Sequence, residues 1–158
     1  MTREVRQAGS DSTERPYVNC AAFCENILSE KDNIVSAIRF IDQLTVQAIG
    51  EDAPSELPEG TAIQAKLLII LRAGQALGSQ RLKMDVTHPD TGRDELPEVA
   101  VNFPAGEAGG LNLIVPVTLV VRSAGVHWFA LYVNDRLMTR VPLDIKYGFT
   151  RGPALRPS

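Results

Sequence analysis

Two cysteines and two histidines are the residues of this 158-residue chain best suited to nucleophilic or metal chemistry. Cys20 and Cys24 form a Cys-x-x-x-Cys. On a strand they share a face but stand about 13 Å apart, too far for a disulfide; on a helix they would be adjacent. A zinc ion would need two further ligands. Only His88 and His127 could supply them, far along the chain and without the short spacing of a zinc finger. Buried thiols and no metal are the expectation. Cys24 and His127 would make a thiol–imidazole pair only if folding joined them, and no third group is evident to orient the imidazole. The chain has no Gly-x-Ser-x-Gly, His-Glu-x-x-His, phosphate loop or dinucleotide fingerprint. It is read as having no enzymatic activity and no cofactor.

Oxygen ligands offer a second chemistry. Asp90, Asp94 and Glu95, with Glu98 behind them, crowd the segment THPDTGRDELPE. They could bind calcium if a second loop joined them, either the acidic stretch from Glu51 to Glu59 or Asp135. The competing reading is a tight hairpin turn at Pro89-Asp90-Thr91-Gly92: proline fixes φ, Asp90 caps the turn and Gly92 takes the left-handed position.

Apolar side chains give a third clue. If Leu67, Ile69, Leu113, Val115, Phe129 and Leu131 fill a core, the opposite faces still carry Leu68, Ile70, Ile114, Val120, Trp128 and Tyr132. The outer face of a sandwich is ordinarily polar. An apolar outer patch anchored by Trp128 and Tyr132 suits a protein partner or a second copy of the chain, unless a tail or a helix at 34–49 covers it.

The elements that must position these residues read as short apolar runs between turn signals: 17–28, 34–49, 62–72, 79–88, 96–103, 111–122, 125–133 and 137–147. The expected fold is all-β, an antiparallel two-sheet β-sandwich of about eight strands. The segment 34–49 is ambiguous. As a strand it puts Ile34, Ile38 and Phe40 on one face and Val35, Ala37 and Ile41 on the other. As a helix capped by Asp32 or Asn33 it would make the protein α+β. Pro116 and Pro142 cannot donate to a ladder and mark edges or bulges. In the last hairpin, strand parity favours a three-residue loop, Asn134-Asp135-Arg136, which pairs Val133 with Leu137 and Phe129 with Val141.

Two stretches resemble a known pattern. VNCAAFCENIL followed by NIVSAIRFIDQL, ending in Ile41-Asp42, is similar to the opening of small bacterial proteins catalogued as a domain of unknown function. The hairpin from Gly125 to Val133 with Asn134-Asp135 is similar to theirs, with Arg136 where that pattern has glycine. The resemblance spans about residues 17 to 147. It implies an immunoglobulin- or C2-like sandwich, favours strand at 34–49, and brings no activity and no site residues.

Bulk properties agree with one such domain at 17–147 between polar tails at 1–16 and 148–158. A chain of this size buries about 70% of its unfolded surface, enough to fold without disulfide or metal. The net charge of −3 speaks against nucleic acid as a partner. No apolar run is long enough to span a bilayer and the first residues lack the apolar core of a secretory signal, so the expectation is a cytoplasmic protein without membrane contact.

Overall fold

Along β9 (Gly125–Val133), Phe129, Leu131 and Val133 are buried while Trp128 and Tyr132 point the other way. This period of two commits one side of the strand to a core. A computed structural model of the chain describes residues 15–32, 34–104 and 109–152. Ten strands run through them: β1 (Tyr17–Ser29), β2 (Val35–Ile41), β3 (Gln43–Ile49), β4 (Ala62–Arg72), β5 (Gly78–Thr87), β6 (Arg93–Glu95), β7 (Val99–Phe103), β8 (Gly110–Val120), β9 and β10 (Arg136–Thr150). None of the described residues is helical, and no helix is long and apolar enough to cross a membrane. The fold is all-β, and the helical alternative at 34–49 is overturned.

Two sheets face each other. One has the order β2-β1-β4-β8; the other runs β3-β10-β9-β5-β6, with β7 also paired to β5. Placing β4 beside β8, opposite β10-β9-β5, is the strand pairing of an immunoglobulin-like sandwich. Phe23 and Phe129 meet edge to face at 4.8 Å across the two sheets, in a core that also holds Leu67, Ile69, Leu71, Leu143 and Ile145.

Ten strands replace the expected eight for two reasons. The run 34–49 breaks at Asp42, where the chain leaves one sheet for the other. Strand β6 has only three residues, all exposed, and so carries no hydrophobic period. The sandwich is also not wholly antiparallel: β3 lies parallel to β10, from Gln43 beside Asp144 to Ile49 beside Thr150. That ladder carries β10 past the boundary expected at Tyr147. Residues 1–14 and 153–158, the greater part of both expected tails, lie outside the described residues.

The last hairpin corrects the loop and the expected pairing of Val133 with Leu137, and keeps Phe129 beside Val141. Arg136 pairs with Val133 and Leu137 with Tyr132, a bulge follows between Leu137 and Thr139, and Val141 pairs with Phe129. The loop is therefore the two residues Asn134 and Asp135, both left-handed at φ 49° and 65°. The extra residue that parity demands sits in the strand as a bulge. Asn134 tolerates its conformation because its side chain is fixed: Oδ1 accepts from the Arg81 amide at 2.9 Å and Nδ2 donates to Gln80. The turn after β5 is also corrected. Asp90 Oδ1 does cap it, accepting from the Gly92 amide at 3.0 Å, but the left-handed residue is Thr91 at φ 69°.

Both prolines obey the ladder rule. Pro116 lies on edge strand β8. Pro142 lies on β10 just before its ladder with β3 begins at Asp144, so that side of the strand has no neighbour there.

The β1–β2 hairpin decides which surfaces stay open. Its ladder lapses at Glu25 and Arg39, where Arg39 adopts φ 53° and pairs with Glu25 at 2.8 Å. Beyond this kink the hairpin lies over the outer face of the four-stranded sheet. Ile27, Val35 and Ala37 pack with Cys24, Leu68 and Ile70, and Ser29, Ile34 and Val35 share a groove with Ile70, Arg72 and Ile114.

Candidate functional site

The six candidate interface residues do not form one surface. Leu68 is 3% exposed and Ile70 is half-buried, both beneath the β1–β2 hairpin. Their place in an exposed patch is a correction: a face too apolar for water is covered by the chain's own second strand. Ile114 and Val120 are exposed on the outer face of the four-stranded sheet. Trp128 and Tyr132 belong to the outer face of the other sheet, across the thickness of the sandwich.

On that second face the local sequence builds a site. Ala130 stands between Trp128 and Tyr132 on β9, and its small side chain leaves a groove between the two rings. Asp85 of β5 lies opposite Ala130 on one side and Arg140 of β10 on the other. Thr87 lies beside Trp128, and Arg93 of β6 pairs with Thr87. The groove encloses about 390 Å³ among Asp85, Thr87, Arg93, Trp128, Ala130, Tyr132 and Arg140.

Its electrostatics are uneven. Asp85 is only 2% exposed, and Arg93 Nη2 donates to its carboxylate. This hydrogen bond and the carboxylate charge push the Arg93 guanidinium above its usual range. Burying a charge is costly unless it is paired, so Asp85 is committed to Arg93. Arg140 is exposed and has no hydrogen bond or ion pair among the described residues. The groove thus presents one uncommitted cation between two aromatic side chains. Trp128 is 44% exposed.

Sequence reasoning singled out Trp128 and Tyr132 as candidates and passed over Asp85, Arg93 and Arg140, which line the same groove. Asp85 alternates with Met84 and Val86 as any outward polar residue would, so its burial left no mark in the sequence. Arg93 opens a strand too short to show a period.

The histidines do come together. His88 and His127 are buried, with rings edge to face at 5.3 Å. His88 Nε2 bonds Asp94 Oδ2 at 2.8 Å, and His127 Nδ1 bonds the Gly125 carbonyl at 3.1 Å. With protons on those nitrogens, His88 Nδ1 and His127 Nε2 are left as buried lone pairs without partners among the described residues. Burial holds the His127 imidazole below its usual 6.5; the Gly125 carbonyl opposes this and His88 adds to it. The bond from His88, ahead of the charge of Arg122, holds Asp94 below the usual carboxylate range.

The cysteines take no part. Cys24 is buried on the outside of the other sheet, where burial, and then Cys20, push its thiol pKa up. Both thiols are free. The acidic side chains weighed for calcium are dispersed among other partners. Asp94 faces His88 and Arg122, Glu95 pairs with Lys83 at 3.3 Å, Asp90 turns into its own loop, and Asp135 pairs with Arg81. No three metal-ligating side chains converge among the described residues.

No protein-family model and no curated protein matches the chain. Among solved structures, the chain is similar to an immunoglobulin-like protein from Pseudomonas aeruginosa, with 13% identity, 85% of this chain and 99% of that one covered, and a TM-score of 0.40. It is also similar to an alkylpurine DNA glycosylase from Pseudomonas fluorescens bound to DNA containing an abasic-site analogue. There identity is 12% and the TM-score 0.37, over 65% of this chain. The chain spans 27% of that protein's length.

Proposed function

We propose that this protein is a non-catalytic interaction module that docks a protein partner on the outer face of its six-stranded sheet. The observation that carries the reading is the uncommitted Arg140 between half-exposed Trp128 and Tyr132. Tryptophan, tyrosine and arginine are the side chains that most often anchor protein interfaces. Asp85 supports it further: a buried carboxylate that fixes Arg93 costs desolvation and gains little stability, but it holds one wall of the groove in place. With Arg93 neutralised, Arg140 leaves a net positive charge, which matches a partner segment with a carboxylate next to an apolar side chain. A cytoplasmic setting belongs to the same reading, in keeping with two free thiols. So does kinship with the small bacterial sandwich proteins, which rests on the sequence resemblance alone. Nucleic acid and membranes fall outside it, given the net charge of −3.

Trp128 is the only tryptophan, so its fluorescence reports on the groove directly. The test is a titration with a capped peptide of alternating glutamate and leucine, and with its lysine counterpart. The expected result is a saturable change with the glutamate peptide alone, abolished in Arg140→Glu. A silent titration with both peptides, or an undiminished response in Arg140→Glu, would refute the reading.

A further inference from the structure

His88 and His127 close one end of the core. Val86 pairs with Phe129 and Thr87 with Trp128 in the β5–β9 ladder, so one step further the two histidines stand opposite each other, on the inner side that Val86 and Phe129 share. Their tautomers follow from their partners. A carboxylate and a backbone carbonyl only accept, so His88 Nε2 donates to Asp94 Oδ2 at 2.8 Å and His127 Nδ1 donates to the Gly125 carbonyl at 3.1 Å. The other nitrogens keep their lone pairs. Neither has a partner among the described residues, although His88 and His127 are only 3% and 0% exposed. A buried polar atom left bare in this way is costly.

We propose that His88 Nδ1 and His127 Nε2 bind one tetrahedral transition-metal ion of the zinc type. Three observations carry this. First, each imidazole is held as a metal-bound imidazole is held: one nitrogen donates to a carboxylate or carbonyl that orients the ring, and the other is bare. Second, two imidazoles on one tetrahedral ion, with about 2.0–2.1 Å from nitrogen to metal, have ring centres roughly 5.2 Å apart. The rings of His88 and His127 stand 5.3 Å apart. Third, neutral nitrogen donors suit zinc, cobalt or nickel rather than calcium or magnesium, which take oxygen. The pair also lies near solvent, since the Asp94 side chain that orients His88 is 53% exposed. Two imidazoles leave two positions of the tetrahedron for oxygen. Water fills them, or the hydroxyl of Ser123, which is buried without a partner among the described residues and follows Arg122, itself bonded to Asp94.

The test is titration of the full chain with cobalt(II) and with zinc. Cobalt is expected to give the visible absorption of a tetrahedral ion at one ion per chain, without the sulfur-to-metal charge-transfer band that Cys20 or Cys24 would produce, and zinc is expected to displace it. The chain has no other histidine, so nitrogen NMR of the zinc form of wild type reads the site without a substitution: His88 Nδ1 and His127 Nε2 should shift more than their ring partners. Asp94→Ala, at a half-exposed position, should weaken binding about 10–100-fold by freeing the His88 ring. Imidazole nitrogens unmoved by millimolar zinc would overturn the proposal and leave the lone pairs to buried water. A charge-transfer band would overturn it by moving the ion to the thiols, and undiminished affinity in Asp94→Ala would overturn it by showing that the oriented His88 ring takes no part.

Discussion

Leu68→Ala separates two pictures of the four-stranded sheet. By alternation alone, Leu68 is an outward residue, and truncating an exposed leucine changes stability by no more than about 0.5 kcal/mol. In the folded chain Leu68 is 3% exposed and enclosed with Cys24 and Ile27 under the kinked hairpin. Truncation there removes buried methyl groups and leaves a cavity, a loss of about 2–4 kcal/mol. For a domain of this size each kcal/mol lowers the melting temperature by roughly 2–4 °C, so the expected drop is several degrees and easily measured by thermal or urea unfolding. Val120→Ala is the control, because Val120 is 53% exposed on the same sheet and should melt within about 0.5 kcal/mol of wild type. Ile27→Ala should destabilise as well, and the double variant should lose less than the sum, since the first truncation already loosens the contact the second removes. If Leu68→Ala melts with wild type, or if the two losses add without coupling, the hairpin does not cover this face and the reasoning fails.

His127 makes stability depend on pH. Its folded-state pKa lies below the unfolded 6.5 because the ring is buried, with His88, Asp90 and Asp144 as its charged or titratable neighbours. The unfolded chain therefore binds the extra proton first; stability is full above about 6.5 and is lost as pH falls below it. Urea midpoints measured from about pH 8 down to 5 should fall in wild type, and His127→Leu should flatten that slope. Asp135→Gly should stabilise the last hairpin by about 0.5–1 kcal/mol, because glycine takes φ 65° without strain and the lost pair with Arg81 is exposed; Asn134→Gly should bring no such gain in the same melts, since it also breaks the bonds to Gln80 and Arg81. Arg93→Ala should destabilise by leaving Asp85 buried without a counter-charge, and adding Asp85→Asn should recover part of the loss; a double variant no more stable than the single would show that the carboxylate is not the cause.

What was legible in the sequence depended on strand parity. Val35 and Ala37 turn inward while Ile38 faces solvent, and Phe129 meets Val141, because side chains alternate within a regular stretch of strand; the alternation resets at left-handed Arg39, so Phe40 takes the face of its partner Cys24 and Ile41 the core face of Phe23, not the faces that parity alone assigns them. Pro116 and Pro142 marked strand sides without a neighbour because a missing amide hydrogen cannot be compensated inside a ladder. Parity says nothing about what lies across a face. It could not tell that the hairpin kinks at Arg39 and closes over Leu68, since that depends on one left-handed residue and an ion pair. Nor could it bring Arg93 onto Asp85 or His88 beside His127, contacts made by loops and a three-residue strand. The bulge at Met138 escaped for a related reason: the extra residue that parity required could sit in the turn or in the strand. Asn134 decided it by bonding β5 with both ends of its amide.

The kink at Arg39 also orders the surfaces that remain. By folding β1 and β2 over Leu68 and Ile70, it hides the most apolar part of the four-stranded sheet and in exchange presents Ile34 and Ile38 on the ribbon's far side. That ribbon and the Trp128 groove lie on opposite outer faces of the sandwich, so occupation of one leaves the other free. They also differ in chemistry: the ribbon exposes Leu28, Ile34 and Ile38, while the groove holds Arg140, without an ion pair among the described residues, beside Trp128 and Tyr132.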